Sequence, residues 1–166
     1  GVAGDVMGQD CQEMKALHDP DETVLDEELT RAMTPFSQKP GDVTALRNSL
    51  QDVMWEDVGV MRDADGLQRG LKRIAEIDDE LSSVGVAADN LAFNLSWHDW
   101  LNLRSLVDMS KVIAKAALSR ENSRGAHFRE DFPDAGAMQE SYFTLASGYG
   151  DAISVTRAPV QFTIVK

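Results

Sequence analysis

The sequence has a single cysteine, Cys11, among 166 residues, so no internal disulfide can form and no cysteine-based zinc or iron–sulfur site can be assembled. That usage fits a reducing compartment. No run of about 18 apolar residues is present to cross a bilayer, and the first residues lack the basic-then-apolar layout of a signal peptide. A soluble chain without direct membrane insertion is expected. Basic residues are also scarce, with 16 Lys and Arg against 28 Asp and Glu and a formal net charge of −12. A surface that tracks phosphates needs clustered cations, so nucleic acid is not expected as a partner.

The acidity is uneven. Gly1 to Asp65 contains 15 acids and 5 bases, whereas Gly66 to Lys166 contains 13 acids and 11 bases. The excess therefore belongs to the first part, where it reads as a solvated lead-in rather than an acidic docking tail. The small residues Gly1-Val2-Ala3-Gly4 look like the interior of a packed helix, and Lys166 follows directly on an alternating pattern. The chain is expected to be a piece of a longer protein.

Residues 1–17 suit one helix, and Thr23 to Met33 a short acidic one with Val24, Leu25, Leu29, Ala32 and Met33 inward. Pro35 and Pro40-Gly41 read as a linker, with a compact domain from about Asp42, itself a candidate N-cap. Val43, Leu46, Leu50, Val53, Met54 and Met61 then follow at helical spacing, with fraying near Gly59. A second helix is expected from about Asp65 to Ser83, where Leu67, Leu71, Ile74, Ile77 and Leu81 alternate by threes and fours. Gly85 to Trp97 reads as a connection, followed by a third helix from about Asp99 to Arg120 with Trp100, Leu103, Leu106, Val107, Ile113, Ala114 and Ala117 on its apolar face.

These patterns predict a mainly α fold, a three-helix up-down-up bundle over residues 42–133. After Pro133 the period becomes alternating: Tyr142 to Ala146, Ala152 to Val155 and Val160 to Val165 read as short strands, with turns at Gly148–Asp151 and near Pro159. A small C-terminal β-hairpin or three-stranded appendage over 134–166 is expected, leaning on other structure because it is marginal alone.

Chemistry-bearing residues concentrate directly after the third helix, in Arg120-Glu121-Asn122-Ser123-Arg124-Gly125-Ala126-His127-Phe128-Arg129-Glu130-Asp131-Phe132-Pro133. Arginines and a histidine can converge on a carboxylate, which would make an anion or dicarboxylate site. The same residues can instead cap helix carbonyls and pair with Glu121, Glu130 and Asp131. The interleaved acids favour the second reading, a structural or interdomain network of Arg120, Ser123, Arg124, Gly125, His127, Arg129 and Asp131. Gly125 would permit a left-handed backbone there. His98 and Asp99 beside Trp97 and Trp100 read as packing, and His18, Asp19 and Asp21 as an acidic turn without further metal-ligand spacing. Gly148-Tyr149-Gly150 lacks the rest of a dinucleotide fingerprint.

Ala45 to Pro133 resembles the C-terminal domain of the succinate dehydrogenase and fumarate reductase flavoprotein family, which includes L-aspartate oxidases. Arg47, Leu50 and Met54 look like its opening helix, Val60-Met61-Arg62 its "V-x-R" end, and Ser123 to Pro133 its closing "S-R-G-x-H-x-R-x-D-[FY]-P". Asn122 departs from the glutamate common before that motif, so a neutral hydrogen bond is expected in place of an ion pair. Gly1 to Gly4 resembles the helix after the flavin-binding segment, which makes 1–41 the end of an FAD-domain helix plus an acidic linker. The resemblance implies a spectrin-repeat-like bundle attached to an upstream FAD-binding domain, in a parent that oxidises succinate or reduces fumarate, or oxidises aspartate. FAD would lie in the parent and none in this piece, and an iron–sulfur subunit is an implied partner of the parent. The implied location is the cytoplasm, at the inner face of a membrane through partner subunits. No catalytic, cofactor-binding or metal residue carries over, and an independent helical interaction module is the alternative.

Overall fold

A computed structural model describes residues 2–13, 21–148 and 150–161. The chain divides into two compact units, Gly1–Met33 and Thr34–Lys166. The first holds helices α1 (Val2–Glu13) and α2 (Glu22–Met33). Asp21 starts α2 by accepting from the backbone N–H of Thr23 at 3.0 Å and from its hydroxyl, which holds its carboxyl below the usual range. Val24, Leu25 and Leu29, expected to point inward, are more than half exposed. Met14, Leu17, His18 and Asp19 lie outside the described residues.

The second unit is built on α3 (Val43–Glu56), α4 (Ala64–Ser83) and α5 (Leu95–Ser119). Each begins at a side-chain cap: Asp42 accepts from Ala45 N at 2.9 Å, Asp63 from Gly66 N at 2.6 Å and Asn94 from Trp97 N at 3.0 Å. Contacts fix the directions. The end of α3 meets the start of α4, where Asp57 pairs with Arg69 and Arg73, and the end of α4 meets the start of α5, where Trp100 donates its indole N–H to Val84 O at 2.9 Å. Arg47 at the start of α3 pairs with Asp99 near the start of α5. The three helices therefore run up, down and up.

The apolar spacing read from the sequence supplies the core. Leu46, Leu50 and Val53 of α3, Leu67, Ile74, Ile77 and Leu81 of α4, and Trp100, Leu103, Val107, Ala114 and Ala117 of α5 are all buried in one cluster. A polar cross-link also joins α4 to α5: Asp78 accepts from Arg104 and, at 2.5 Å, from the buried Lys111. Pro35 is buried, Phe36 meets the Trp97 ring edge-on at 5.3 Å, and the backbone of 35–41 bonds to Gly85 and Val86. Gly85 is required there, since a Cβ would collide with the carbonyl oxygens of Gln38 and Pro35.

Several expectations are corrected. The first helix stops at Glu56; Val58 is buried beyond its end, and Met61 is exposed in strand β1 (Met61–Arg62), which pairs in parallel with β2 (Phe128–Arg129). The third helix starts one turn early, at Leu95, because Asn94 caps it. Leu106 and Ile113 are 48% and 43% exposed rather than in the core. At the C-terminal side, β3 (Tyr142–Ser147) and β4 (Ser154–Pro159) form an antiparallel hairpin; the expected turn extends as a 3-10 turn over Gly150–Ala152, so the second strand starts at Ser154 rather than Ala152, and Pro159 lies inside β4 rather than at a turn. The third expected strand falls mostly on residues 162–166, outside the described residues.

Ile74 has no exposed surface and Trp55 is 81% exposed. Ile74→Ala should lower unfolding stability by about 2–5 kcal/mol and Trp55→Ala by no more than about 0.5 kcal/mol, read as urea midpoints at unchanged slope.

Candidate functional site: a guanidinium brace at one end of the bundle

The up-down-up arrangement gathers the end of α3, the start of α4 and the end of α5 at one place, and the motif after α5 folds back over it. Helix α5 ends with carbonyls that have no partner inside the helix. Arg129, 1% exposed, fills that role: its Nη1 donates to Ala117 O and Leu118 O at 3.0 Å and to Arg120 O at 3.3 Å. Its Nε and Nη2 donate to the two oxygens of Asp131, each at 2.7 Å, and the guanidinium lies 5.0 Å from the centre of the Phe132 ring. Asp131 also accepts from Ala64 N at 3.0 Å, in the first turn of α4. One guanidinium thus joins the end of α5 to the start of α4.

The backbone makes the third connection. In the β1–β2 pair Arg62 stands opposite Arg129, and Glu130 N donates to Arg62 O at 2.7 Å, so the chain leaving α3 is held as well. Ser123 closes the loop from within, its Oγ accepting from Arg129 N at 2.9 Å and donating to Phe132 O at 2.8 Å. Arg124 and His127 exchange backbone hydrogen bonds across Gly125-Ala126, and Gly125 takes φ +60°. Arg124 then holds the following segment, donating to the carbonyls of Ala135, Glu140 and Ala137 at 2.5, 2.8 and 2.5 Å.

His127 is fixed in one tautomer. Arg62 Nη1, which can only donate, lies 2.9 Å from Nδ1, so Nδ1 accepts and Nε2–H donates to Arg120 O at 3.1 Å. Burial lowers its pKa first, and the positive charges of Arg120, Arg62 and Arg129 lower it further against the opposing effect of the Arg120 carbonyl. Arg62, whose Nε donates to Val58 O and Gly59 O, is also lowered by burial. Asp131 is held down at about 2, chiefly by the Arg129 hydrogen bonds. Asn122, buried, accepts from Arg120 Nε at 3.1 Å, the neutral bond expected at that departure from the family pattern.

The structure brings together all seven residues singled out from the sequence and divides among the three arginines the carbonyl role open to each: Arg129 satisfies the helix carbonyls, Arg124 grips loop carbonyls, and the Arg120 side chain meets Asn122. Among the described residues neither Glu121 nor Glu130 forms an ion pair. The side-chain nitrogens of Arg124 and Arg129 and Nε2 of His127 donate to carbonyls and to Asp131. The sequence reading missed Arg62 as a partner of His127; its signal was a lone arginine just before the capping Asp63. His98 is exposed and Asp99 pairs with Arg47, so neither forms a site. Among the described residues no three His, Cys, Asp or Glu are grouped to hold a metal ion, and no helix is long and apolar enough to cross a membrane.

A sequence model described as "Fumarate reductase flavoprotein C-term" matches residues 47–166. The chain belongs to this family. An uncharacterized FAD-dependent oxidoreductase of Methanocaldococcus jannaschii is 33% identical over 135 residues, covering 80% of this chain and 24% of that protein. The succinate dehydrogenase flavoprotein subunit of Rickettsia bellii is 30% identical over 138 residues, covering 80% and 23%. Among solved structures, Mycobacterium smegmatis Sdh1 in complex with UQ1 superposes with a TM-score of 0.76 at 25% identity, covering 92% of this chain and 26% of that one. The chain spans about a quarter of the length of the curated relatives it matches. The family read from Ser123 to Pro133 is thus shown, and with it the mainly helical fold.

Two measurements probe the brace in this fumarate reductase flavoprotein C-terminal domain. Arg129→Ala should cost about 3–5 kcal/mol, since it strips three carbonyls and a carboxylate at once, and Arg129→Lys should recover only part, lacking the planar fork. A histidine with a lowered folded pKa contributes stability that is fully present above the unfolded value of 6.5 and is lost as pH falls below it. The loss of stability from about pH 8 to about pH 5 should therefore be shallower in His127→Gln than in the native chain when followed by urea denaturation.

Proposed function

We propose that this chain is the C-terminal helical domain of an FAD-dependent oxidoreductase of the succinate dehydrogenase and fumarate reductase type, and that its role is structural and domain-packing rather than catalytic. The observation that supports this most is the commitment of the motif's donors: Arg124 and Arg129 spend their guanidinium groups on backbone carbonyls and Asp131, leaving no convergent set for a substrate. In this reading Arg120, Ser123, Arg124, Gly125, His127, Arg129 and Asp131 are a structural or interdomain brace. Residues 42–133 are the packing body, 1–41 the end of the FAD-domain helix with its acidic linker, and 134–166 the appendage.

FAD belongs to the parent in this reading. The residues here do not fit the cofactor, because a pyrophosphate needs a glycine-rich turn from a strand into a helix, whereas Gly148 and Gly150 lie between two antiparallel strands. No step of flavin chemistry is derived through them. The parent's partners are the upstream FAD-binding domain of its own chain and an iron–sulfur subunit, which would place it in the cytoplasm at the inner face of a membrane.

The full-length parent should show a flavin absorption spectrum and turn over succinate, fumarate or aspartate; a colourless, inactive parent would overturn this function. Arg124→Ala in the parent should lower stability or domain docking. A fall of about a thousandfold in turnover with flavin occupancy and stability unchanged would instead make Arg124 catalytic.

A further inference from the structure

Beside the brace, between α5 and β3, lies a recess of about 290 Å³ lined by Arg62, Ile113, Ala116, Ala117, Arg120, His127 and Thr144. Its lining contains three basic residues and no acid, in a chain of net charge −12. The donors left over here are not those of the motif's centre. Arg62 spends Nε on two carbonyls and Nη1 on His127, which leaves Nη2 without a partner among the described residues. Arg120 spends only Nε, on Asn122, so both terminal nitrogens are without one. His127 has no N–H to give, its one N–H, at Nε2, being donated to the Arg120 carbonyl. Asp131, the carboxylate of the brace, is already shared between Arg129 and Ala64 N. Two partly buried guanidinium groups facing a recess without a counter-charge are costly unless something anionic arrives.

The surface leading into the recess is apolar. Leu106, Met109 and Ile113 follow at spacings of three and four on α5 and are 48%, 56% and 43% exposed, and Ala116 continues the stripe to Arg120. Short side chains at 116 and 117 leave room above the helix, while β3 closes one side with Thr144. An apolar stripe that ends in an uncompensated cationic recess complements a polypeptide segment with apolar side chains and one carboxylate. A small free acid would fill the recess but leave the stripe wet.

We infer that this recess receives an aspartate or glutamate side chain, held by Arg62 and Arg120, from a protein segment outside these 166 residues that also covers Leu106, Met109 and Ile113. The inference rests on the domain-packing reading above and names the anchor of that packing. The guanidinium pair supplies bidentate, charge-assisted donors, and the stripe supplies buried apolar area around them. The backbone carbonyl of Arg120 serves the brace whereas its side chain does not, so substitutions at 120 separate the anchor from the fold.

The test uses the full-length parent. Arg120→Lys, treated with a zero-length carbodiimide, should give an amide between the introduced amine and an Asp or Glu outside this segment, identified by mass spectrometry. Arg120→Glu should raise hydrogen exchange over residues 106–117 by about tenfold, the loss of a charge-assisted contact. A cross-link only to Glu121 or Glu130 would overturn the inference, as would no cross-link at all. Exchange over 106–117 that is as fast in the native parent as in Arg120→Glu would overturn it too. If millimolar succinate abolishes the cross-link while that stripe exchanges freely, the recess is a small-acid site and the inference fails. A colourless parent would sink the flavoprotein function without deciding the cross-link, so the two failures are distinguishable.

Discussion

The buried guanidinium of Arg129 is the constraint on which one whole end of the bundle depends. A charge with 1% of its surface exposed is tolerable only if every donor is matched, and here three carbonyls and a bidentate carboxylate match them. That requirement propagates. The carbonyls must belong to a helix that stops at Ser119, the carboxylate must come from two residues onward, and its second oxygen reaches the first turn of α4. The end of α5 and the first turn of α4 are thereby held around one side chain, and the β1–β2 pair beside it holds the chain leaving α3. A lysine at 129 could neither fork onto Asp131 nor reach three carbonyls.

The opposite end and the middle are held by different means. Trp100 bonds to the carbonyls at the end of α4, and Asp78 ties Arg104 and the buried Lys111 of α5 to α4. Apolar residues fill the space between these polar anchors, so helix sliding would break specific bonds at both ends as well as misalign the core. Such a body suits a role in which geometry is transmitted to a neighbour, because packed layers shift as units rather than deform.

The sequence made the bundle legible because the seams of α3 and α4 repeat by threes and fours, and the Asp42 cap followed from residue chemistry alone, whereas the role of Asn122 was legible only against the family pattern. What escaped it has physical reasons. A two-residue strand such as β1 or β2 has no period to detect, so Met61 was counted into a helix whose spacing it happened to fit. Asn94 lies in an apolar alternation that masks a cap. Leu106 and Ile113 look like core residues because they are apolar at helical spacing, yet that spacing cannot say whether the covering surface lies within these residues. In the site the sequence names the residues, but which arginine meets which carbonyl depends on the chain's reversal at Gly125, visible only in three dimensions.

That division between spent and unspent donors also explains why composition misleads locally. A net charge of −12 suggests a surface that repels acids everywhere, yet Asp42 and Asp63 serve as helix caps, Asp57 pairs with Arg69 and Arg73, and none of them lines the recess. Around the recess the only carboxylate of the motif drawn inward is Asp131, and Arg129 holds it at two points. The donors of Arg62 and Arg120 that face the recess are those the brace leaves unused. Any carboxylate they attract must come from elsewhere, and the exposed stripe on α5 marks the direction from which it arrives.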